Sequence, residues 1–499
     1  MAAIYQTAYP RIKSNISQDE LGDIYTLTAE DQKFALRHCK RASVSYLGLL
    51  IQLKTTQRLG RFSSQNEIPK AIVIHIKKQC LSRATQKDIQ GYFASGAKDR
   101  HVKLIRQYLD IKPYDTIKTS KLVKNWALDA ATTKERLPDI INVALEYLVK
   151  ERYELPGFTT IERICQTARA EVNTQYYQQL CDFLDSNSNR LITNIQSSTG
   201  VDGFGWNALK SEPKRPTPRN IHAYINYLEW LTSLQTLLPI DLGLPPVKHQ
   251  QFINEAKAMD YAELMKVKPQ KRFAMVIILI RHQYAQTLDN AADIFIKVLK
   301  KLDREAQKLL EKYLLDHQKR TEHLISVLSG AVKVYLDKPK SVTAFDPVLG
   351  KNSEQLLQMC DHYMAYAGNN YLPFMLQLYK KQRSTLFRTI EILNLASSTE
   401  DKDLLNAFQF ILKHKKRRIE FLSIQSNPSD ESSENVLNIG WIRDKWWKLV
   451  TGKTTKSAQV TQVNKACFEL CVFERIAEEL STGDLFIPYS ETFDDYREQ

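Results

Sequence analysis

Tyr46-Leu47-Gly48-Leu49-Leu50-Ile51-Gln52-Leu53 is apolar but for Gln52, and its length argues a helix that closes near Gly60. Upstream, Ser17 with Glu20 three residues later has the pattern of a capping box. A second helix follows Thr28 and carries Phe34 towards Lys40-Arg41. Downstream the pattern is trihelical. Ile72, Val73, Ile76 and Cys80 share one face of a helix that also bears Lys70, Lys77 and Lys78. Thr85 with Asp88 marks the next start, Ile89, Tyr92 and Phe93 form its buried side, and Ser95-Gly96 breaks it. The third helix is expected to bury Leu104, Ile105, Tyr108 and Leu109, leaving Arg100, Lys103 and Gln107 on a different stripe. Three short helices with a basic final one are what a helix-turn-helix module needs to lay side chains in a major groove.

A second helical unit is expected from about Ser120 to Arg190, with Ile140, Ile141, Ala144, Leu145 and Leu148 as its core stripe. Pro156-Gly157 is expected to end that helix, and Thr159-Thr160 to start the next. Residues 197–219 gather Gly, Pro and Ser and have the composition of a linker, in which Lys210, Lys214, Arg215 and Arg219 could meet a phosphate backbone. From 220 to about 425 a long helical body is expected. Phe273, Val276, Ile277 and Ile280 make one stripe of it, and Leu404, Leu405, Phe408, Ile411 and Leu412 another, with no solenoid period. Residues 426–438 form a second polar linker, and a last helical piece holds Trp446-Trp447 and Phe468–Leu480 before Gly483 and an acidic end. The expected fold class is mainly α: tandem helical DNA-binding domains of helix-turn-helix type, followed by a long helical body. The expected boundaries are 1–118 for a basic helical domain and 119–215 for a second helical DNA-binding unit with its linker. A scaffold or dimerisation body at 216–425 and a helical connector at 439–499 follow.

With 499 residues, 43% of them hydrophobic and 25% charged, the chain has a folded protein's composition and about three domains' length. Its 16 glycines are few, which argues against an α/β enzyme rich in phosphate-binding turns. The net charge of +14 is concentrated near the start: residues 1–120 hold 20 Lys and Arg against 10 Asp and Glu, leaving 50 against 46 elsewhere. A localised excess suits a polyanion, because each neutralised phosphate releases condensed counterion. The seven cysteines include no CxxC pair, and Cys467 and Cys471 lack partners for a tetrahedral metal site. Buried, reduced thiols in a cytosolic protein are expected. No leader is expected at Met1–Pro10, which Arg11 and Lys13 follow. No uncharged apolar run approaches bilayer length, and Phe273–Ile280 is taken as a core helix.

The nucleotide-binding pattern Gly-x-x-x-x-Gly-Lys-Ser/Thr is absent, and Gly452-Lys453-Thr454 lacks the preceding glycine, so a surface turn is expected there. Neither HExxH nor Gly-x-Ser-x-Gly occurs. Strand transfer by two metal ions needs carboxylates that hold the metals a few ångströms apart. Asp484, Asp494 and Asp495 are the tempting acids, but a solvated acidic tail is the expectation for them.

Several passages together resemble one family. Tyr25-Thr26-Leu27-Thr28-Ala29-Glu30-Asp31, the stretch Tyr46–Leu53, and Arg100-His101 with the helix after it are similar to the first DNA-binding region of the transposases of the replicative Tn-three family of bacterial transposons. Leu155-Pro156-Gly157-Phe158-Thr159-Thr160-Ile161-Glu162-Arg163 looks like the family's second helical unit. Asn369-Asn370-Tyr371-Leu372-Pro373 and Arg383–Leu395 look like its central body. Phe468-Glu469-Leu470-Cys471-Val472 and Leu480-Ser481-Thr482-Gly483-Asp484-Leu485-Phe486-Ile487-Pro488 resemble the stretch just ahead of its catalytic domain. These matches keep family order and cover nearly the whole chain.

The resemblance implies recognition of double-stranded DNA, the transposon's terminal inverted repeats, by the N-terminal domains. It also implies that Mg²⁺ and three acidic residues belong to a downstream RNase H-like domain, so no catalytic residue, metal site or cofactor is expected in this chain. Ending at Gln499, the chain has about half the family's usual length, and the expectation is an N-terminal half without activity of its own. Cys39-Lys40-Arg41-Ala42-Ser43 departs from the family, which is usually richer in Arg there, so fewer phosphate contacts or a different repeat are implied. Lys40, Arg41, Arg58 and Arg61 are expected to grip phosphate, and Arg100, His101, Lys103 and Arg106 to approach bases or backbone, with Lys210, Lys214 and Arg215 completing the set. The alternatives are one half of a split transposase whose strand-transfer domain is a separate polypeptide, and a repressor that dimerises with intact transposase. A homodimer or a partner transposase chain, no membrane, and a bacterial cytoplasm with nucleoid association through DNA complete the expectations.

Overall fold

The computed structural model describes residues 3–13, 15–184, 195, 204–211, 218–236, 238, 241–337, 342–349, 353–364, 366, 370–424, 437–456 and 459–497. They are mainly α-helical, as expected, and form two compact units: Met1–Asn207 with Leu238–Leu279, and Ala208–Leu237 with Ile280–Gln499.

The first unit opens with α1 (Gln18–Tyr25), α2 (Ala29–His38), α3 (Val44–Leu59), α4 (Lys70–Gln79), α5 (Gln86–Phe93) and α6 (Gly96–Leu109). Every residue of α3 from Tyr46 to Thr56 is buried, because α1, α2, α4, α5 and α6 all pack on it. A helix apolar all round belongs at the centre of a core. Gln52 is 1% exposed, and neither atom of its amide has a partner among the described residues. Gly60 adopts φ 63°, the left-handed conformation that ends a helix at low cost to glycine. Thr28 and Asp31 form a reciprocal capping box, as do Thr85 and Asp88. At Ser17 only half of the expected box exists: its Oγ accepts from the Glu20 amide, while the Glu20 carboxylate pairs with Lys13.

A second cluster in this unit is built from α7 (Lys118–Thr133), α8 (Leu137–Lys150) and α9 (Phe158–Asp182), with the expected stripe Ile140, Ile141, Ala144, Leu145 and Leu148 at its centre. Helix α8 ends at Lys150, well before Pro156. Between them Tyr153 bridges to Lys112, and the Leu155 amide donates to the Gly60 carbonyl at 2.9 Å, tying this turn to the first cluster. Of the expected linker, residues 197–203 and 212–217 lie outside the described residues. In the part between them Trp206 is fully buried and donates to the Met259 carbonyl at 3.1 Å, so it is packed core. Residues of α11 (Pro246–Ala258) and α12 (Tyr261–Lys266) also belong to this unit, as does the start of α13 (Pro269–Asp316). Ala274–Ile280 of α13 is buried on all sides, whereas one stripe was expected, and Phe273 is only half-buried.

The second unit holds α10 (Pro218–Gln235), the rest of α13, and α14 (Gln318–Asp337), α15 (Asp346–Leu349), α16 (Ser353–Met364), α17 (Leu372–Glu391) and α18 (Asp403–His414). It ends in α19 (Asp444–Thr451) and α20 (Lys465–Thr482), the latter closed by Gly483 at φ 85°. Residues 425–436, most of the expected second linker, lie outside the described residues. The core of this unit contains an ion pair. Glu469 of α20, 1% exposed at its side chain, accepts both Arg383 nitrogens at 2.6 Å and the Tyr379 hydroxyl at 2.7 Å. Two antiparallel pairs complete the unit: β1 (Ala396–Ser397) with β4 (Leu485–Phe486), and β2 (Phe421–Ser423) with β3 (Gln462–Asn464).

The acidic end is not a solvated tail. Beyond β4, the Ile487 amide donates to the Phe493 carbonyl at 2.7 Å, and Asp289 of α13 accepts from the Ser490 hydroxyl, the Thr492 amide and the Thr492 hydroxyl. Asp484 is exposed and accepts from Thr482, while Asp494 and Asp495 are half-buried. The thiols are also less uniform than expected: Cys80, Cys165, Cys467 and Cys471 are buried, Cys39 and Cys181 half-buried, and Cys360 exposed. Among the described residues no three His, Cys, Asp or Glu side chains gather as a metal set, and no helix is long and apolar enough to cross a membrane.

Candidate nucleic-acid interface

Helices α2 and α6 lie side by side. Phe34 stacks on Tyr108 with centroids 4.1 Å apart, and the Cys39 Sγ stands 3.5 Å from His101 Nε2. His101 Nδ1 shares a hydrogen bond of 2.9 Å with the Tyr92 hydroxyl of α5, and the Tyr92 ring lies against α3 at Gly48. The third helix is therefore pinned from α2, α3 and α5. Ile105 and His101 are buried, while Tyr108, expected inside, is 38% exposed.

Arg100 and Lys103 project from the exposed side of α6, one turn apart, as expected. Lys40 and Arg41, in the turn after α2, are exposed too. Lys33, Arg37 and His38 of α2 join them, and His38 is close enough to influence the His101 ring. None of these cations makes an ion pair among the described residues. Lys33 and Arg37 were missed, although their spacing of four residues marks one face of α2.

The other expected residues go elsewhere. His101 is 6% exposed and hydrogen-bonded within the core, so its ring is not presented to a ligand. Arg106 is committed to Glu154, with nitrogens 2.7 and 3.1 Å from one carboxylate oxygen and its guanidinium 5.3 Å over the Phe62 ring. It fastens α6 to the turn after α8. Arg61 pairs with Glu67 at 2.9 Å. Arg58 is exposed but sits at the far end of α3 from Arg41, roughly 20 Å away at 1.5 Å per residue. Lys210 is half-buried in a short 3₁₀ turn, Ala208–Lys210, of the second unit. Lys214 and Arg215 lie outside the described residues, and Arg219 is exposed at the start of α10.

Two buried groups couple this face to pH. Burial, helped by Arg100 and His38, holds the His101 pKa below its ordinary 6.5. For Asp31, burial pushes upward but is outweighed by hydrogen bonds from Thr28 and Gln57 and the charge of Lys54, so its carboxyl stays below 3.8. Both groups bind fewer protons folded than unfolded, so stability rises with pH through each window. Stability is expected to be full above pH 6.5, to fall as His101 is forced to charge, and to fall again as acid reaches Asp31. Hydrogen exchange of α6 amides between pH 7.5 and 5.5 checks the first step. His101→Gln should flatten it, and an unchanged pH dependence would exclude His101 as its cause.

The second unit contains a cleft of about 1120 Å³, lined by both signs of charge. Its carboxylates are engaged: Glu474 with Lys445 and Trp446, and Glu478 with Arg443 and Arg475.

Residues 1–168, which span α1 to the first turns of α9, match a domain family described as a domain of unknown function, DUF4158. Along almost its entire length the chain is similar to transposases. It is 22% identical over 496 residues to the transposase for transposon Tn501 of Pseudomonas aeruginosa, covering 96% of this chain and 47% of that protein. It is 21% identical over 490 residues to the transposase for transposon gamma-delta of Escherichia coli strain K12, covering 94% and 46%. It is 19% identical over 505 residues to the transposase for transposon Tn1546 of Enterococcus faecium, covering 97% and 48%. The chain is homologous to these transposases of the Tn-three kind, and it spans about half the length of the relatives it matches.

Proposed function

We propose that this chain recognises the ends of a transposon, as the DNA-binding part of a transposase, through the α2–α6 face of its first unit. The observation that carries the reading is the group Arg37, Lys40, Arg41, Arg100 and Lys103. These are exposed cations without an ion pair among the described residues, set on α2, on the turn after it and on α6, and both helices are locked into a core on their other sides. Such a face gains affinity by releasing counterions from phosphates, and α6 offers the side chains that reach base edges. Double-stranded DNA carrying terminal repeats is the partner. The strand-transfer chemistry, with its Mg²⁺, is assigned to residues other than these.

Replacing Arg100 and Lys103 together by Ala is expected to lower affinity for end-sequence duplex about tenfold at 0.1 M salt. It should also make the slope of log K against log salt about two units shallower. Titration by fluorescence anisotropy measures both. Unaltered affinity and slope would remove α6 from the interface.

A second reading, association with another copy or with an intact transposase, is favoured by one stripe. Ile325, Leu328, Val332 and Tyr335 of α14 are each at least 49% exposed and spaced three, four and three residues apart, as in a coiled-coil seam. Sedimentation at two protein concentrations separates monomer from dimer.

A further inference from the structure

In the first unit, α9, α11 and the junction of α12 with α13 enclose a cleft of about 580 Å³. Its lining carries four cations, Arg169, Lys266, Lys268 and Lys271, against two carboxylates, Glu135 and Glu255. Both carboxylates are already satisfied. Glu135 takes the ammonium of Lys248, whose side chain is fully buried, together with the Asn173 amide at 3.3 Å, and Arg169 stands 4.0 Å off. Lys248 is steered by a second bond to Asn173 Oδ1 at 2.7 Å. Glu255 takes Lys271. Two cations thus share Glu135, and Lys266 and Lys268 are left exposed, without an ion pair among the described residues.

The turn that holds these two lysines is braced. The Arg272 side chain donates to the Met265 carbonyl at 2.8 Å and to the Val267 carbonyl at 3.2 Å, and its amide donates to the Lys268 carbonyl at 2.9 Å. The ammonium groups therefore start from a fixed backbone, which lowers the ordering cost of gripping a ligand. The remaining polar lining is mostly amide, as in Gln166, Gln251 and Gln270, which can donate to phosphate oxygens.

We infer that this cleft holds a backbone phosphate of DNA, as a second contact beyond the α2–α6 face. The inference rests on the DNA-binding reading and extends its footprint. Lys266 and Lys268 supply the charge, and Glu135 with Lys248 sets the framework behind them.

The test is the double variant Lys266→Ala with Lys268→Ala in the full chain, titrated with a 40-base-pair and a 15-base-pair duplex over a range of salt. Both lysines are exposed, so the melting curve should match the parent. On the long duplex the salt slope should fall by about two units and affinity by about tenfold, whereas Lys266→Arg with Lys268→Arg should keep both. The short duplex, held by the α2–α6 face alone, should show little change. An unchanged slope on the long duplex, while Arg100→Ala with Lys103→Ala still lowers it, would overturn this inference and leave the proposed function standing. If neither pair lowered the slope, both would fall. A melt stabilised by inorganic phosphate, combined with an unaltered DNA slope, would reassign the cleft to a small free anion and overturn the inference as well.

Discussion

Replacing Glu469 by Leu is expected to destabilise the second unit by about 3 kcal/mol. The carboxylate is 1% exposed and accepts three hydrogen bonds, two from Arg383 and one from Tyr379. Its removal leaves a half-buried guanidinium without its counter-charge and a buried phenol without its acceptor, and the desolvation of those groups is offset less. The loss stays at the lower end for broken buried pairs because Arg383 keeps 32% of its side-chain surface in water and retains the Lys415 carbonyl at 2.9 Å. Changing Arg383 to Met in the same chain should recover part of it, since the stranded charge is then gone. Denaturant unfolding of both single variants and the double variant measures this. A double variant no more stable than Glu469→Leu would contradict the account of the pair.

Gly48→Ala is expected to lower the stability of the first unit by about 1–3 kcal/mol, although alanine is the better helix former by about 1 kcal/mol. Gly48 sits inside α3, where its missing side chain lets the Tyr92 ring lie flat on the backbone. A Cβ there would stand 2.4 Å from two ring carbons. The ring cannot simply swing aside, because Tyr92 is 4% exposed and its hydroxyl is bonded to His101. Gly48→Val should cost more. Because Tyr92 also pins α6, the same substitution should weaken DNA binding at temperatures well below unfolding. Hydrogen exchange of α3 and α6 amides reports the opening, and Tyr92→Leu should relieve Gly48→Ala in part. A gain in stability from Gly48→Ala would mean the helix–ring contact is looser than described.

Local chemistry was legible in the sequence. Thr28 with Asp31 and Thr85 with Asp88 mark helix starts because a capping box is completed within four residues, and Gly60 and Gly483 mark ends because only glycine takes that conformation cheaply. The stripe of α8 was legible for the same reason: its period is set within one helix.

What could not be read is what joins distant positions. Glu469 meets Arg383 across 86 residues, and Arg106 meets Glu154 across 48, so their exposed-looking charges carry no local sign of commitment. Burial on all sides hid a stripe in α13, because an uninterrupted apolar run from Ala274 to Ile280 has no face to read. His101 had the right helix and the wrong side: its neighbours Arg100 and Lys103 face solvent, and one residue's rotation turns it inward to Tyr92 and Cys39. The docking of the acidic end on Asp289 likewise depends on residues some two hundred positions apart.

The most direct measurement is equilibrium binding to two duplexes of equal length, at several salt concentrations. One carries the terminal repeat of the transposon proposed to encode this chain, and the other is a scrambled sequence. The account predicts tighter binding to the repeat by at least 10³-fold at physiological salt. That preference should shrink when Arg100 and Lys103 are replaced by Ala. Equal affinity for both duplexes, governed by salt alone and indifferent to those two residues, would contradict it.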